Sequence, residues 1–222
     1  MLPERMQRVH EQLSLEEEQM IDDRNFSRID REDNSHLMWE TGERRQTYKC
    51  AIFSVNEVER KCHDGRKGNF IEIECPEWII IIPLYRDEDG VLRTIVERQY
   101  RHGSDSVTLE FPAGLVEKGE APIDAARREL LEETGFKAGK VTKLATLCPN
   151  SAFMSNHQHI YLAEDLELVS GQDLDANEEI DLYSLPLSEV VERMGRGSAD
   201  NALMVAATSL LMRELDSRKE EL

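Results

Sequence analysis

Residues 78–85 read Trp-Ile-Ile-Ile-Ile-Pro-Leu-Tyr, an apolar octet with four isoleucines in a row. So short and β-branched a run suits a strand covered on both faces better than a helix. It predicts a buried central strand, and therefore a sheet with something packed against each side. Pro83 interrupts the octet, which is the longest apolar run in the chain. It falls far short of the ~20 residues needed to span a bilayer.

The flanking sequence supplies partners for that strand. Residues 47–57 read as a strand, 63–68 as a turn, and 69–75 as a half-buried strand alternating Phe70 and Glu72 with Ile71 and Ile73. Asp87-Glu88-Asp89-Gly90 forms a hairpin turn, with the returning strand at 91–100. A short strand is expected at 107–111, a glycine-rich turn at 112–119 and a helix at 121–134. Further strands are expected at 141–147, 158–163 and 180–185, an acidic loop at 171–179, and helices at 187–196 and 199–216. Strands first, then strands mixed with helices, describe an α+β protein: an α/β/α sandwich around a mixed sheet.

Residues 1–22 read as a helix with Met6, Val9, Leu13 and Met20 roughly on one face. Residues 23–46 form a polar connector or an ordered arm. The expected division is an N-terminal extension over 1–46 and one domain over 47–222, with 47–75 as its first subregion. The extension either covers the domain or takes part in dimer contacts.

The formal net charge is −18. Such a field repels nucleic acid and anionic lipid, so neither is an expected partner. It would also repel an anionic substrate, so a phosphate-handling site here needs local metal ions or arginines. Cys50, Cys62, Cys75 and Cys148 form no Cys-x-x-Cys pair, and the first twenty residues are acidic with no apolar stretch. Reduced thiols and a cytoplasmic location are the expectation.

The helix at 121–134 carries the chemistry. Pro122 suits its first turn, Asp124 favours its positive end, and Gly135 ends it. Glu129, Glu132 and Glu133 stand at i, i+3 and i+4 and share one face, while Ile123, Ala126 and Leu130 line another. Like charges at that spacing cost about 0.2–0.5 kcal/mol per pair. A solvated acidic face is one reading. The glycine-rich turn just upstream, with Glu120 at its end, favours another, in which turn and carboxylates surround Mg²⁺ or Mn²⁺.

From Gly114 the spacing is five residues to Glu120, seven to Arg128-Glu129-Leu130, one to Glu132-Glu133 and one to Gly135-Phe136. This resembles the Nudix signature with every fixed position filled, strongly over 110–136 and loosely over about 50–215. The resemblance implies the Nudix fold and water attack on one phosphorus of a pyrophosphate, releasing two phosphomonoesters. It implies that Glu129, Glu132 and Glu133 bind the catalytic metals. Arg128 would orient a glutamate, and Glu120 would be a more distant metal or structural group. The carbonyl of Ala113 resembles a further ligand in the ADP-ribose branch. The metals would act as Lewis acids, lower the pKa of the attacking water and clamp the diphosphate.

Upstream, Val96-Glu97-Arg98-Gln99-Tyr100-Arg101 precedes Leu109-Glu110-Phe111-Pro112-Ala113-Gly114. That pairing looks like the branch cleaving ADP-ribose and other nucleotide sugars. Arg101 and Arg98 would then contact substrate phosphate, or else form ordinary ion pairs on a strand end. Glu110 would bind substrate or pair with an arginine. The loop after Pro149 lacks the acidic residue often found in that branch, and Ala176 stands where relatives often carry a glutamate. Glu178, and next Glu179, are therefore the candidates for general base or additional metal ligand, the alternative being solvated loop carboxylates. His157 and His159 are same-face neighbours on a strand rather than a metal pair.

The expected activity is Mg²⁺-dependent hydrolysis of ADP-ribose to AMP and ribose 5-phosphate. GDP-mannose or another NDP-sugar is the alternative substrate, and a ligand-sensing module without catalysis is the alternative class. The branch also implies a homodimer.

Overall fold

The computed structural model describes residues 34–219, so the helix expected over 1–22 and much of the polar segment after it lie outside them. The described chain falls into two compact units: 34–43 with 59–69, and 44–58 with everything from Phe70 onward. Strands β1 (Trp39–Lys49), β2 (Ser54–Cys62) and β3 (Lys67–Glu74) pair in that order, each with one part in either unit. In the smaller unit the Arg66 guanidinium lies 5.7 Å above the Trp39 ring, and Lys67 pairs with Glu59 at 3.2 Å.

β1 begins at Trp39, well inside the segment expected to be a polar connector, and the strand expected at 47–57 is two strands. The reason is burial. Every residue of β1 after Trp39 is exposed, so no apolar alternation marks it as a strand. The turn between β1 and β2 carries no Gly, Pro or Asn. Backbone pairing of Cys50 N–H with the Phe53 carbonyl closes it instead, at 2.9 Å.

In the larger unit, β4 (Trp78–Arg86), β5 (Leu92–Arg101), β6 (Ser106–Glu110), β7 (Ala113–Leu115), β8 (Phe136–Leu147), β9 (Gln158–Leu168) and β10 (Ile180–Pro186) build one seven-stranded sheet. Its order is β10-β5-β4-β9-β8, with β6 on β5 and β7 on β4. β4 and β9 run parallel while the other pairs run antiparallel, so the sheet is mixed as expected. The helices are α1 (Pro122–Thr134), α2 (Leu187–Arg193) and α3 (Ala202–Arg218).

The octet is the centre of this sheet, and it forks. One side of β4 pairs with β9 from Trp78 to Pro83. The other side pairs first with β7, at Trp78–Ile80, and then with β5, at Leu84–Arg86. Pro83 has no N–H to donate, and it sits where the partner changes. Its carbonyl accepts from the buried Thr94 hydroxyl at 2.7 Å, and Ile81 N–H donates to the Pro112 carbonyl at 2.9 Å. The three-residue β7 lies inside the glycine-rich turn expected at 112–119, because a strand that short carries no periodic signal.

Strand alternation divides the isoleucines between two cores. Ile80 and Ile82, with Leu84, face a cluster built with Leu187, Met204 and Leu211 from α2 and α3. Ile79 and Ile81 face Ala125, Ala126 and Leu130 from α1. Helices therefore cover both faces and give the α/β/α sandwich. Among the described residues no helix is long and apolar enough to cross a membrane.

Leu130 is fully buried on the α1 side. Leu130→Ala should cost about 2–5 kcal/mol and lower the melting temperature by roughly 5–15 °C. Leu168→Ala, at a residue 64% exposed, should change it little. Thermal unfolding of the two variants would show whether α1 is held by this contact.

Candidate active site

Helix α1 is delivered to the fork by its two ends. Pro122 sits in its first turn. At the other end Gly135 takes φ 76° and donates its N–H to the Leu131 carbonyl. A Cβ at Gly135 would stand 2.3 Å from the Ser170 carbonyl oxygen, so both conformation and space demand glycine. Across from the helix runs β7. A Cβ at Gly114 would lie 2.0 Å from Glu129 Oε1, so the strand backbone and that carboxylate are in contact. The glycine-rich turn and the acidic helix face do surround one site.

That site is a cleft of about 650 Å³. Glu129, Glu132, Glu133 and Arg128 line it from α1, and the backbone of Ala113–Leu115 lines it from β7. Arg101 and Glu110 reach it from the hairpin of β5 and β6. The acidic loop before β10 contributes Asp173, Asp175 and Glu178, and Asn201 and Leu203 close it at the start of α3.

Arg128 ties the carboxylates together. Its Nε donates to Glu120 Oε1 at 3.0 Å, and its Nη1 to Glu129 Oε1 at 2.8 Å and Glu132 Oε2 at 3.0 Å. Its Nη2 donates to Glu120 Oε2 at 3.1 Å and to the Leu115 carbonyl at 3.0 Å. These five bonds match the full donor count of a guanidinium. The hydrogen bonds to Glu120 hold the arginine proton more tightly and keep the Glu120 carboxyl below its ordinary range. Glu120 is thus the anchor of the arginine, and it also accepts from Glu117 N–H at 3.0 Å, which closes the turn.

Deeper in, charge is less well balanced. Glu133 is 3% exposed and accepts from Ala113 N–H at 3.0 Å. Burial first, then repulsion from Glu97 and Glu129, pushes its carboxyl up to about 10. Burial also raises Glu129, against the pull of Arg128. Glu97 is fully buried, and neither of its carboxylate oxygens has a hydrogen-bond partner among the described residues. Burial above all, opposed by the attraction of Arg101 and helped by repulsion from Glu110 and Glu178, pushes it up to about 8. Glu97 stands directly opposite Glu110 in the β5–β6 ladder. Burial also works against the Glu110 charge, but Arg101 and Thr108 prevail. Arg101 donates bidentately at 3.1 and 2.8 Å, Thr108 at 2.7 Å, and Glu110 is held below its ordinary range.

The cleft therefore gathers Arg101, Glu110, Ala113, Arg128, Glu129, Glu132, Glu133 and Glu178 of the residues expected from sequence. Arg98 does not line the cleft of this chain; it pairs with Asp181 at 2.6 Å and lies over the Tyr183 ring at 5.3 Å. Strand alternation sends it to the opposite face from Glu97 and Arg101. Glu179, exposed, does not line the cleft either. His157 and His159 both turn to Glu77, and the bond to His159 is the main reason the Glu77 carboxyl is lowered. Glu97, Asp173 and Asp175 were missed. Glu97 was detectable, because period two places it on the face of Arg101. The two aspartates carried no signal beyond an acidic loop.

A carboxyl raised by folding stabilises the protein below its unfolded value and loses that contribution as pH rises through the folded value. For Glu97 and Glu133 the window runs from about 4.5 to 8 and 10. In chelator, the melting temperature should fall as pH goes from 5 to 9. Glu97→Gln, neutral throughout, should remove part of that fall, on the order of 5–10 °C. A constant offset between variant and parent across the range would contradict the account of Glu97.

The model of the NUDIX domain family matches residues 77–206. ADP compounds hydrolase NudE of Escherichia coli (strain K12) is 31% identical over 167 residues, covering 73% of this chain and 86% of that protein. ADP-ribose pyrophosphatase of Bacillus subtilis (strain 168) is 34% identical over 101 residues, covering 45% of this chain and only 55% of that relative's length. A crystal structure of an ADP compounds hydrolase superposes with a TM-score of 0.72 at 26% identity, covering 82% of this chain and 97% of the other.

Proposed function

The chain belongs to the NUDIX family, and from that premise we propose that it hydrolyses the pyrophosphate bond of a nucleoside diphosphate sugar, with ADP-ribose giving AMP and ribose 5-phosphate. The observation that carries the proposal is the cleft in which the α1 glutamates and the Arg101–Glu110 pair meet beneath the backbone of β7. The names of the Escherichia and Bacillus relatives, both referring to ADP compounds, support the adenine nucleotide.

A divalent cation fits the residues present. Glu129 and Glu133 are hard oxygen donors raised by burial, and the buried Glu97 has no hydrogen-bond partner among the described residues. Among the described residues no three acidic, His or Cys side chains already converge as a cage. Arg128 Nη1 instead bridges Glu129 and Glu132. Glu129, Glu132 and Glu133, with the Ala113 carbonyl, would hold Mg²⁺ or Mn²⁺. When bound, the cation would polarise the diphosphate oxygens and acidify the attacking water.

The chain's own groups supply the rest. Arg101, fixed by Glu110, presents its guanidinium to a substrate phosphate, a task its planar fork suits. Glu178, on the rim, takes the proton of the attacking water, with Glu179 the next carboxylate along the chain. Arg128 keeps Glu129 and Glu132 in place. Of the two arginines, Arg101 is the one that lines the cleft of this chain, so the phosphate role is assigned to it there. We extend the proposal to a cytoplasmic homodimer: the four cysteines are all free, which suits a reducing compartment. Light scattering should then report twice the 25.5 kDa of one chain.

A panel of nucleotide sugars with phosphate-coupled detection is the direct test. ADP-ribose should be the best substrate in Mg²⁺, and chelator should abolish turnover. Preferred turnover of GDP-mannose would replace the substrate and keep the class. Background rates on every nucleotide sugar would leave only a ligand-sensing role. Glu133→Gln should lower kcat by more than about 100-fold with the fold intact.

A further inference from the structure

The acidic loop that carries Glu178 is not simply placed beside α1; it is fastened to it. The last turn of a helix leaves carbonyls without intrahelical partners. Here the chain after β9 takes them up. Asp173 N–H donates to the Glu132 carbonyl at 2.8 Å. The side-chain amide of Gln172 donates to the Glu133 carbonyl at 2.8 Å. Val169 N–H and Ser170 N–H donate to the Gly135 carbonyl just beyond, at 3.0 and 3.3 Å.

Gln172 does more than cap. The same Nε2 donates to the Ile180 carbonyl at 3.2 Å, and Ile180 is the first residue of β10. An amide nitrogen carries two hydrogens, enough for one to each carbonyl. Both ends of the 173–179 loop therefore meet at the Gln172 amide, which is itself bound to the Glu133 carbonyl. The side chain of Glu133 meanwhile reaches Ala113 N–H at 3.0 Å. Within the loop, Glu178 N–H donates to the Asp175 carbonyl at 2.9 Å, and Asp175 N–H to Glu178 Oε2 at 3.2 Å. The loop is compact, and its distance from the glutamates of α1 is set at its base.

We propose that Gln172 is a positioning residue for the hydrolysis, clamping the base-bearing loop to the C-terminal turn of α1 so that Glu178 and the carboxylates of Glu129 and Glu133 keep a fixed separation. It rests on the functional reading given above, in which Glu178 takes a proton from water held near those glutamates. The side chain does not line the cleft. Its effect is on how often the carboxylate stands where the water is, so it belongs to kcat rather than to substrate affinity. Misplacement of a catalytic group by about 1 Å can cost on the order of 100-fold in rate.

The test compares Gln172→Met, which keeps the length and removes both donors, with Gln172→Lys, which keeps a donor. Steady-state kinetics on ADP-ribose, melting temperature and amide hydrogen exchange are measured on the full chain. The Met variant should lose about 10- to 100-fold in kcat, with KM within about twofold and an unchanged melting temperature. Amides of 173–179 should exchange faster while those of α1 do not, and the Lys variant should recover part of both effects. Unchanged exchange in the Met variant overturns the clamp, as does a kcat within twofold of the parent, or a Lys variant no better than Met. A kcat loss matched by a fall in melting temperature would mean a structural role only, and overturns it too. If the parent chain turns over no nucleotide sugar, the functional reading fails by itself, and loop exchange still decides whether Gln172 holds the loop.

Discussion

Carboxylates brought together out of water repel one another, and each also resists losing its hydration. The cleft of this protein concentrates Glu129, Glu132, Glu133 and Glu110, with Glu97 buried opposite Glu110, and most of its other features answer that repulsion. Arg128 sets all five of its N–H groups on the upper carboxylates and the β7 backbone. Arg101 pairs bidentately with Glu110. Among the described residues Glu133 accepts from one backbone amide and Glu97 from no donor, and these are the two groups pushed furthest toward their neutral forms. A divalent cation would supply the charge they lack, in a chain already at −18.

The fork in the sheet makes that concentration possible. An unbroken ladder along both sides of β4 would leave no room at its centre. The change of partner at Pro83 lets β7 pair with the first half of β4 and β5 with the last. Residues far apart in the chain then meet on one opening: Arg101 at the end of β5, Glu110 at the end of β6, and the glycine backbone of β7. Glycine at 114 is a packing requirement here, since any side chain would displace the Glu129 carboxylate. The loop fastened through Gln172 completes the rim from the opposite end of α1.

Much of this was legible in the residues. The isoleucine octet announced a central strand covered on both faces, and alternation then split it between two cores. The spacing of Glu129, Glu132 and Glu133 placed three carboxylates on one helix face, and Gly135 marked the helix end. What stayed hidden had physical causes. β1 is solvated along nearly its whole length, so burial wrote no pattern into it. β7 is too short for a period to register. Arg98 and Arg101 look equivalent in a charged run, and only the pleat separates them, sending one to Asp181 and the other into the cleft.

By itself the sequence determined the sandwich, the helix that carries the glutamates and the glycine turn set against it, because these rest on local spacing and on hydrophobic period. Only the tertiary structure decided which charges share the cleft. That choice depends on where β4 changes partner, which carbonyls of α1 capture the acidic loop, and how deeply each carboxylate is buried. Burial is a property of the assembled chain, so the unpartnered Glu97 and the clamp at Gln172 could be seen only after folding had brought their neighbours together.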